Sequence, residues 1–209
     1  MLVTDIKKSF PYKKLNEVYI DFEFSFALYD SELRKFKIEL NKEIEKDFLE
    51  NEIYPYLKKK ALNDALKMVL RADTTVKNVK EKLTLKKYPS FAIDNALEYL
   101  ETKGFVDDLE YAINFIKHSF NKGKGKKYVE FELAKRGIKN DKTEAFIEKY
   151  YKEDLICDVT DKKLISLIKG KDKPDYKDLN KLRDYLVRQG FCYDEVNEEI
   201  LRVRRNYED

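Results

Sequence analysis

Gly123-Lys124-Gly125-Lys126-Lys127-Tyr128-Val129-Glu130-Phe131-Glu132-Leu133-Ala134-Lys135-Arg136-Gly137-Ile138 decides the fold of this 209-residue chain. Val129 and Leu133 stand four apart, the spacing that puts two side chains on one helix face, and Gly137 suits the left-handed residue that ends a helix. The stretch has counterparts on both sides. Lys86-Lys87-Tyr88, Arg136-Gly137-Ile138 and Gln189-Gly190-Phe191 are anchors whose last residues lie 50 and then 53 positions apart. Nine residues before each anchor stand Val79, Val129 and Leu182; five before, Leu83, Leu133 and Leu186; nine after, Leu97, Ile147 and Ile200. Twelve after stand Leu100, Tyr150 and Val203, and five after stand Ile93, Thr143 and Val196, where two of the three are apolar.

These offsets describe a helix, a short break and a second helix, recurring at a fixed period. A further apolar helix precedes each pair: Leu62, Leu66, Val69 and Leu70 in the first copy, Ala112, Ile113, Phe115 and Ile116 in the second, Leu164, Ile165, Leu167 and Ile168 in the third. Asp107-Asp108-Leu109-Glu110 has the Asp-x-x-Glu spacing of a helix start. A single copy has few core positions, and burying one Leu or Ile contributes about 1.5–3 kcal/mol, so neighbouring copies are expected to pack on each other. The predicted fold is mainly α: three tandem three-helix repeats in an elongated, curved array, at residues 59–106, 107–154 and 155–209, with a long concave face suited to a macromolecule.

Residues 1–58 behave differently. Apolar side chains alternate at Val18, Ile20, Phe22, Phe24, Phe26 and Leu28, the period of a strand. With Leu2 to Ile6 they predict a small antiparallel sheet, in which Asp21-Phe22 is either a tight turn or mid-strand; a two-residue turn favours Gly where Phe22 stands. Ser31 to about Lys58 reads as a charged helix with an acidic cluster at Glu43, Glu45, Asp47, Glu50 and Glu52, broken or restarted at Pro55.

The hydrophobic content of 43% is enough for folded cores, and the 40% charged content is balanced, 43 basic residues against 40 acidic, for a net charge of +3. That balance argues for solvated helix faces and against a chain that is basic throughout for nucleic acid. Cys157 and Cys192 are too few for a disulfide framework or a metal site, and small core or boundary positions suit them. The chain has no apolar run of membrane-spanning length and no signal-peptide pattern at Met1-Leu2-Val3-Thr4-Asp5. A soluble, cytoplasmic, monomeric protein without cofactor or metal is expected.

Thr75-Val76-Lys77-Asn78-Val79-Lys80-Glu81-Lys82-Leu83, Lys103-Gly104-Phe105-Val106-Asp107-Asp108 and the opening stretch, Gly123 to Ile138, resemble in order and spacing the signature segments of the RecX family. The likeness covers roughly residues 60–207, and Tyr19-Ile20-Asp21-Phe22-Glu23-Phe24 resembles the N-terminal extension of longer members. Two departures stand out: family members often carry Asp-Gly-Glu at Asp21-Phe22-Glu23, and Gly at Lys87. The resemblance implies a non-catalytic regulator in DNA repair, homologous recombination and the SOS response. RecX proteins lie in the helical groove of the RecA–DNA filament and lower its ATPase, strand-exchange and coprotease activities. The implied partners are therefore the RecA filament and, weakly or through RecA, single- or double-stranded DNA. A nucleic-acid-binding helical-repeat protein acting alone is the alternative.

Among individual residues, Lys122, Lys124, Lys126 and Lys127 around two glycines are the leading candidates for contact with DNA phosphates or an acidic partner, helped by backbone N–H groups at the following helix start. The spacing is not that of a phosphate-binding P-loop. Lys135, Arg136 and Arg188 flank the helix-to-helix break, where a helix-turn-helix would meet DNA, and Arg202, Arg204 and Arg205 extend a basic tail. Catalysis finds little support: His118 is the only histidine, and adjacent Asp107 and Asp108 do not face each other on a helix. Tyr128, Tyr150 and Tyr151 are candidate interface anchors.

Overall fold

The structure, a computed structural model, describes residues 1–10, 12, 14–139 and 141–208; residues 11, 13, 140 and 209 of the predicted segments lie outside the described residues. The chain divides into two compact bodies, one of residues 1–107 and one from residue 108 onward.

The first body opens with strands β1 (Val3–Lys8), β2 (Leu15–Ile20) and β3 (Glu23–Tyr29) in an antiparallel sheet of order β1-β2-β3. Of the two sequence readings for Asp21-Phe22, the turn is adopted. Both residues have positive φ, 49° and 71°, the signature of a type I′ hairpin loop whose twist matches the flanking strands. A register shift follows at once, since Val18 pairs with Phe26 but Tyr19 with Phe24; the extra residue, Ser25, forms a bulge.

The helix expected from Ser31 to Lys58 is shorter than its composition suggests. Helix α1 (Asp30–Phe36) stops at Lys37, which is left-handed, and the chain then runs beside β1: Asn41 N–H donates to Val3 O, and Val3 N–H to Lys42 O. An open sheet edge is thereby satisfied, which outweighs helix propensity over Ile38–Ile44. Helix α2 (Lys46–Phe48) passes through a π-helical turn (Leu49–Ile53) into α3 (Tyr54–Val69). Pro55 does not break this run. It falls in the first turn of α3, where the bond spacing widens to five, Tyr54 N–H to Leu49 O, beside the residue that has no N–H to give. Helices α4 (Val76–Leu85) and α5 (Ser90–Thr102) complete the body. One core runs from the sheet through α3 to α5, including Phe26, Leu28, Ile53, Leu57, Leu83 and Leu100.

The second body comprises α6 (Asp108–Asn121), α7 (Lys126–Lys135), α8 (Asp141–Tyr150), α9 (Leu155–Leu167), α10 (Tyr176–Gln189) and α11 (Tyr193–Glu208). Its two cores lie in α6–α8 and α9–α11, and Leu155 packs against both. As its Asp-x-x-Glu spacing predicts, α6 begins directly after Asp107.

The repeat periodicity is realised in the backbone. In each copy the anchor residue donates to the carbonyl five before it: Tyr88 to Leu83, Ile138 to Leu133, Phe191 to Leu186. The residue before the anchor donates three back, Lys87 to Thr84, Gly137 to Ala134, Gly190 to Val187. This bond pair around a left-handed residue is the Schellman motif, and it ends the helix in the same way three times. Of the periodic positions all are buried except Tyr150, which is half-buried; Thr143, the polar exception, is buried with its apolar counterparts.

The first helix of the first and third copies departs from expectation. In α3 the fully buried residues are Leu57, Ala61 and Ala65, while Leu62, Leu66 and Val69 are only partly covered and Leu70 is exposed. Small residues let α3 lie close along α5, whose own buried face includes Ala92 and Ala96. Ile165 of α9 is likewise exposed.

Candidate partner-binding surfaces

The lysine-rich loop between α6 and α7 is the joint between the second and third copies. Gly125 N–H donates to Gln189 O and Lys127 N–H to Gly190 O, at 2.9 and 3.0 Å. The first N–H groups of α7 are thus taken by the last carbonyls of α10, a head-to-tail meeting of helix dipoles, so the expected anion cradle of backbone N–H groups is already engaged. The glycines permit the approach. A Cβ on Gly125 would lie 2.3 Å from Gly190 O, and one on Gly190 would lie 2.4 Å from Tyr128 Cβ.

The side chains of the loop divide accordingly. Lys124 Nζ donates to Gln189 Oε1 (2.7 Å) and lies 4.8 Å from the Tyr128 ring centre. Lys126 Nζ binds the Glu148 carboxylate (2.8 Å) and covers the Tyr151 ring. These two hold the joint together, whereas Lys122 and Lys127 are exposed. Arg188, also exposed, lies two residues before Gly190 and enters the same neighbourhood. At the end of α7, Lys135 is exposed, and Arg136 bonds Glu132 and stacks its guanidinium 4.6 Å over Phe115. Arg204 lines a shallow depression with Tyr176, Leu179 and Tyr207, Arg205 is exposed beside it in sequence, and Arg202 is tied to Glu199 and Asp161. The ten basic candidates therefore fall at three places, and the joint gathers the most of them, five.

The tyrosines proposed as anchors are half-buried. Tyr151 donates to Glu195 Oε1 (2.9 Å), and Glu195 also accepts the Cys192 N–H at the start of α11; burial first, then Glu195, pushes the Tyr151 hydroxyl well above the ordinary tyrosine range. Phe131 is more exposed than these, 67% accessible, at the edge of a groove of about 460 Å³ between α7 and α8 that includes Leu133, Ala134, Ile138 and Ile147. The signal was in the repeat register: seven residues before the anchor the other copies carry Glu81 and Asp184. Phe22, at the hairpin tip that the sequence left open between a turn and mid-strand, is 88% accessible. Among the described residues no cluster of His, Cys, Asp or Glu is arranged to hold a metal ion, and no helix is long and apolar enough to cross a membrane.

By architecture this is a helical-repeat protein carrying a small N-terminal antiparallel sheet. No family model matches the chain. It is 27% identical to the regulatory protein RecX of Clostridium beijerinckii over 91% of its own length and 90% of the relative's. It is 28% identical to that of Clostridium acetobutylicum, with 96% and 95% covered. In fold it is similar to a crystal structure of regulatory protein RecX, with TM-score 0.61, 17% identity and 95% of this chain covered. The crystal structure of RecX from Lactobacillus salivarius gives 0.59 at 23% identity, with 72% covered. Over nearly its whole length the chain is thus similar in sequence to regulatory RecX proteins, and its fold is similar to theirs.

Proposed function

We propose that this chain binds the RecA–DNA filament and restrains its ATPase, strand-exchange and coprotease activities. The observation that carries the proposal is the end-to-end likeness to regulatory RecX proteins, which spans the sheet as well as the repeats. Two features of the molecule support it. The exposed Phe131 beside an apolar groove suits docking against protein, and the engagement of Lys124 and Lys126 within the fold leaves fewer cations for DNA alone. Contact with DNA is then made together with the recombinase, by Lys122, Lys127 and Arg188 at the joint, with Lys135, Arg136, Arg204 and Arg205 as outlying contributors.

The test is a titration of the purified chain into the recombinase of its own cell on single-stranded DNA. ATP hydrolysis should fall at low stoichiometry. Unchanged hydrolysis at several-fold excess over the recombinase would sink the proposal.

A further inference from the structure

The tip of the β2–β3 hairpin is built against its own backbone preference. Asp21 and Phe22 both have positive φ, which glycine adopts freely and a bulky side chain adopts only at a cost in stability. Packing usually offsets such a cost. Here it does not, because the Phe22 ring stands in solvent. Strain without a return in packing points to a role outside the fold.

The backbone beneath the ring is firmly held. Phe22 N–H donates to Thr4 Oγ1, Asp21 N–H to Leu2 O, and Leu2 N–H to Asp21 Oδ1, all at 2.9 Å. Leu2 and Leu40, at the same end of the sheet, are exposed as well. The charges there are mainly acidic: Asp21 and Glu23 flank the ring, and Glu43 stands opposite Leu2 in an isolated bridge. Of the neighbouring cations, Lys42 is paired with Glu39 at 2.7 Å, and the Met1 ammonium donates to Ile44 O at 3.3 Å. Carboxylates around an apolar knob disfavour nucleic acid or an anionic lipid surface and complement a basic protein surface.

We infer that Phe22 is a preformed anchor that inserts into an apolar pocket with a basic rim on a partner protein. The inference rests on the filament reading, in which that partner is the recombinase. A rigidly presented aromatic loses little freedom on binding, and such residues carry a large share of an interface's energy.

The experiment compares wild type with Phe22→Gly and Glu23→Lys in the recombinase ATPase assay, alongside thermal melts of each. Phe22→Gly relieves the turn, so its Tm should hold or rise by about 2 °C, while the concentration giving half-maximal inhibition should rise roughly tenfold or more. Glu23→Lys, on an exposed strand end, should keep its Tm and weaken inhibition in the same direction. A Phe22→Gly chain that inhibits like wild type would overturn the anchor and leave the filament reading standing. A lower Tm for Phe22→Gly would assign the ring to the fold and also overturn it. A wild-type chain without effect on hydrolysis would bring down the filament reading and the anchor with it.

Discussion

Residues at equivalent places in the repeats separate what a motif requires from what its surroundings allow. Lys87, Gly137 and Gly190 occupy the same left-handed position, at φ 61°, 84° and 88°. The register of apolar positions predicted the break in all three copies; the lysine at the first only obscured how the helix would end, because side-chain identity is a weaker constraint than the Schellman bonds and the buried anchor that follow it. Lys87→Gly should stabilise the chain by about 0.5–1 kcal/mol through relief of the left-handed lysine, offset in part by loss of the 3.3 Å pair with half-exposed Lys87 on Glu17. Gly190→Ala should do the reverse. Its Cβ would meet Tyr128 main chain and Cβ within 3 Å, and a cost of roughly 2–4 kcal/mol is expected. Urea melts of the two variants read both signs, and equal midpoints for the pair would contradict the account.

Among the elements, the joint between α7 and α10 shows where a local pattern misleads. Gly-Lys-Gly-Lys-Lys before a helix has the composition of an anion loop, and nothing near it in sequence announces that Gln189 and Gly190 will supply the acceptors. The helix α10 itself was legible from spacing, and its start is set by chemistry in plain view: Asp175 accepts the Asp178 N–H (2.9 Å) while Asp178 accepts the Asp175 N–H, a capping box. The Lys171 ammonium first, and then that backbone N–H, hold the Asp175 carboxyl down to about 2. A carboxyl depressed in the folded state stabilises it at pH above the ordinary value of 3.8, and that contribution disappears as pH falls from 3.8 towards 2. Asp175→Ala should therefore lower Tm at pH 7, and the gap from wild type should close on acidification to pH of about 2. A gap that stays constant from neutral to acid pH would assign the effect of the substitution to something other than the carboxylate.

At the scale of the whole molecule, near-cancellation of charge was the most legible property and has the most direct consequence for function. What composition could not reveal is how many of the 43 basic residues remain available, because that depends on pairings such as Lys126 with Glu148 and Lys60 with Glu32, made between different helices only once the chain has folded. Nor could it show that the sheet shares one core with the first copy, since Phe26 and Leu28 find their partners on α3 and beyond only in the folded chain. With Lys122, Lys127 and Arg188 as the exposed cations of the joint, binding of the chain alone to single-stranded DNA should neutralise about three phosphates. The logarithm of its affinity should fall against the logarithm of salt with a slope of about −2. Reversing these three to Glu should flatten the slope while leaving Tm nearly unchanged. Lys126→Glu is a poor probe by comparison, because it sets a carboxylate against Glu148 and over the Tyr151 ring and should lower Tm whatever it does to DNA. Fluorescence anisotropy across a salt series measures the slope directly. A value of about −6 or steeper would require many more phosphate contacts than the joint supplies and would favour a protein that binds nucleic acid unaided over one that meets DNA on a recombinase filament.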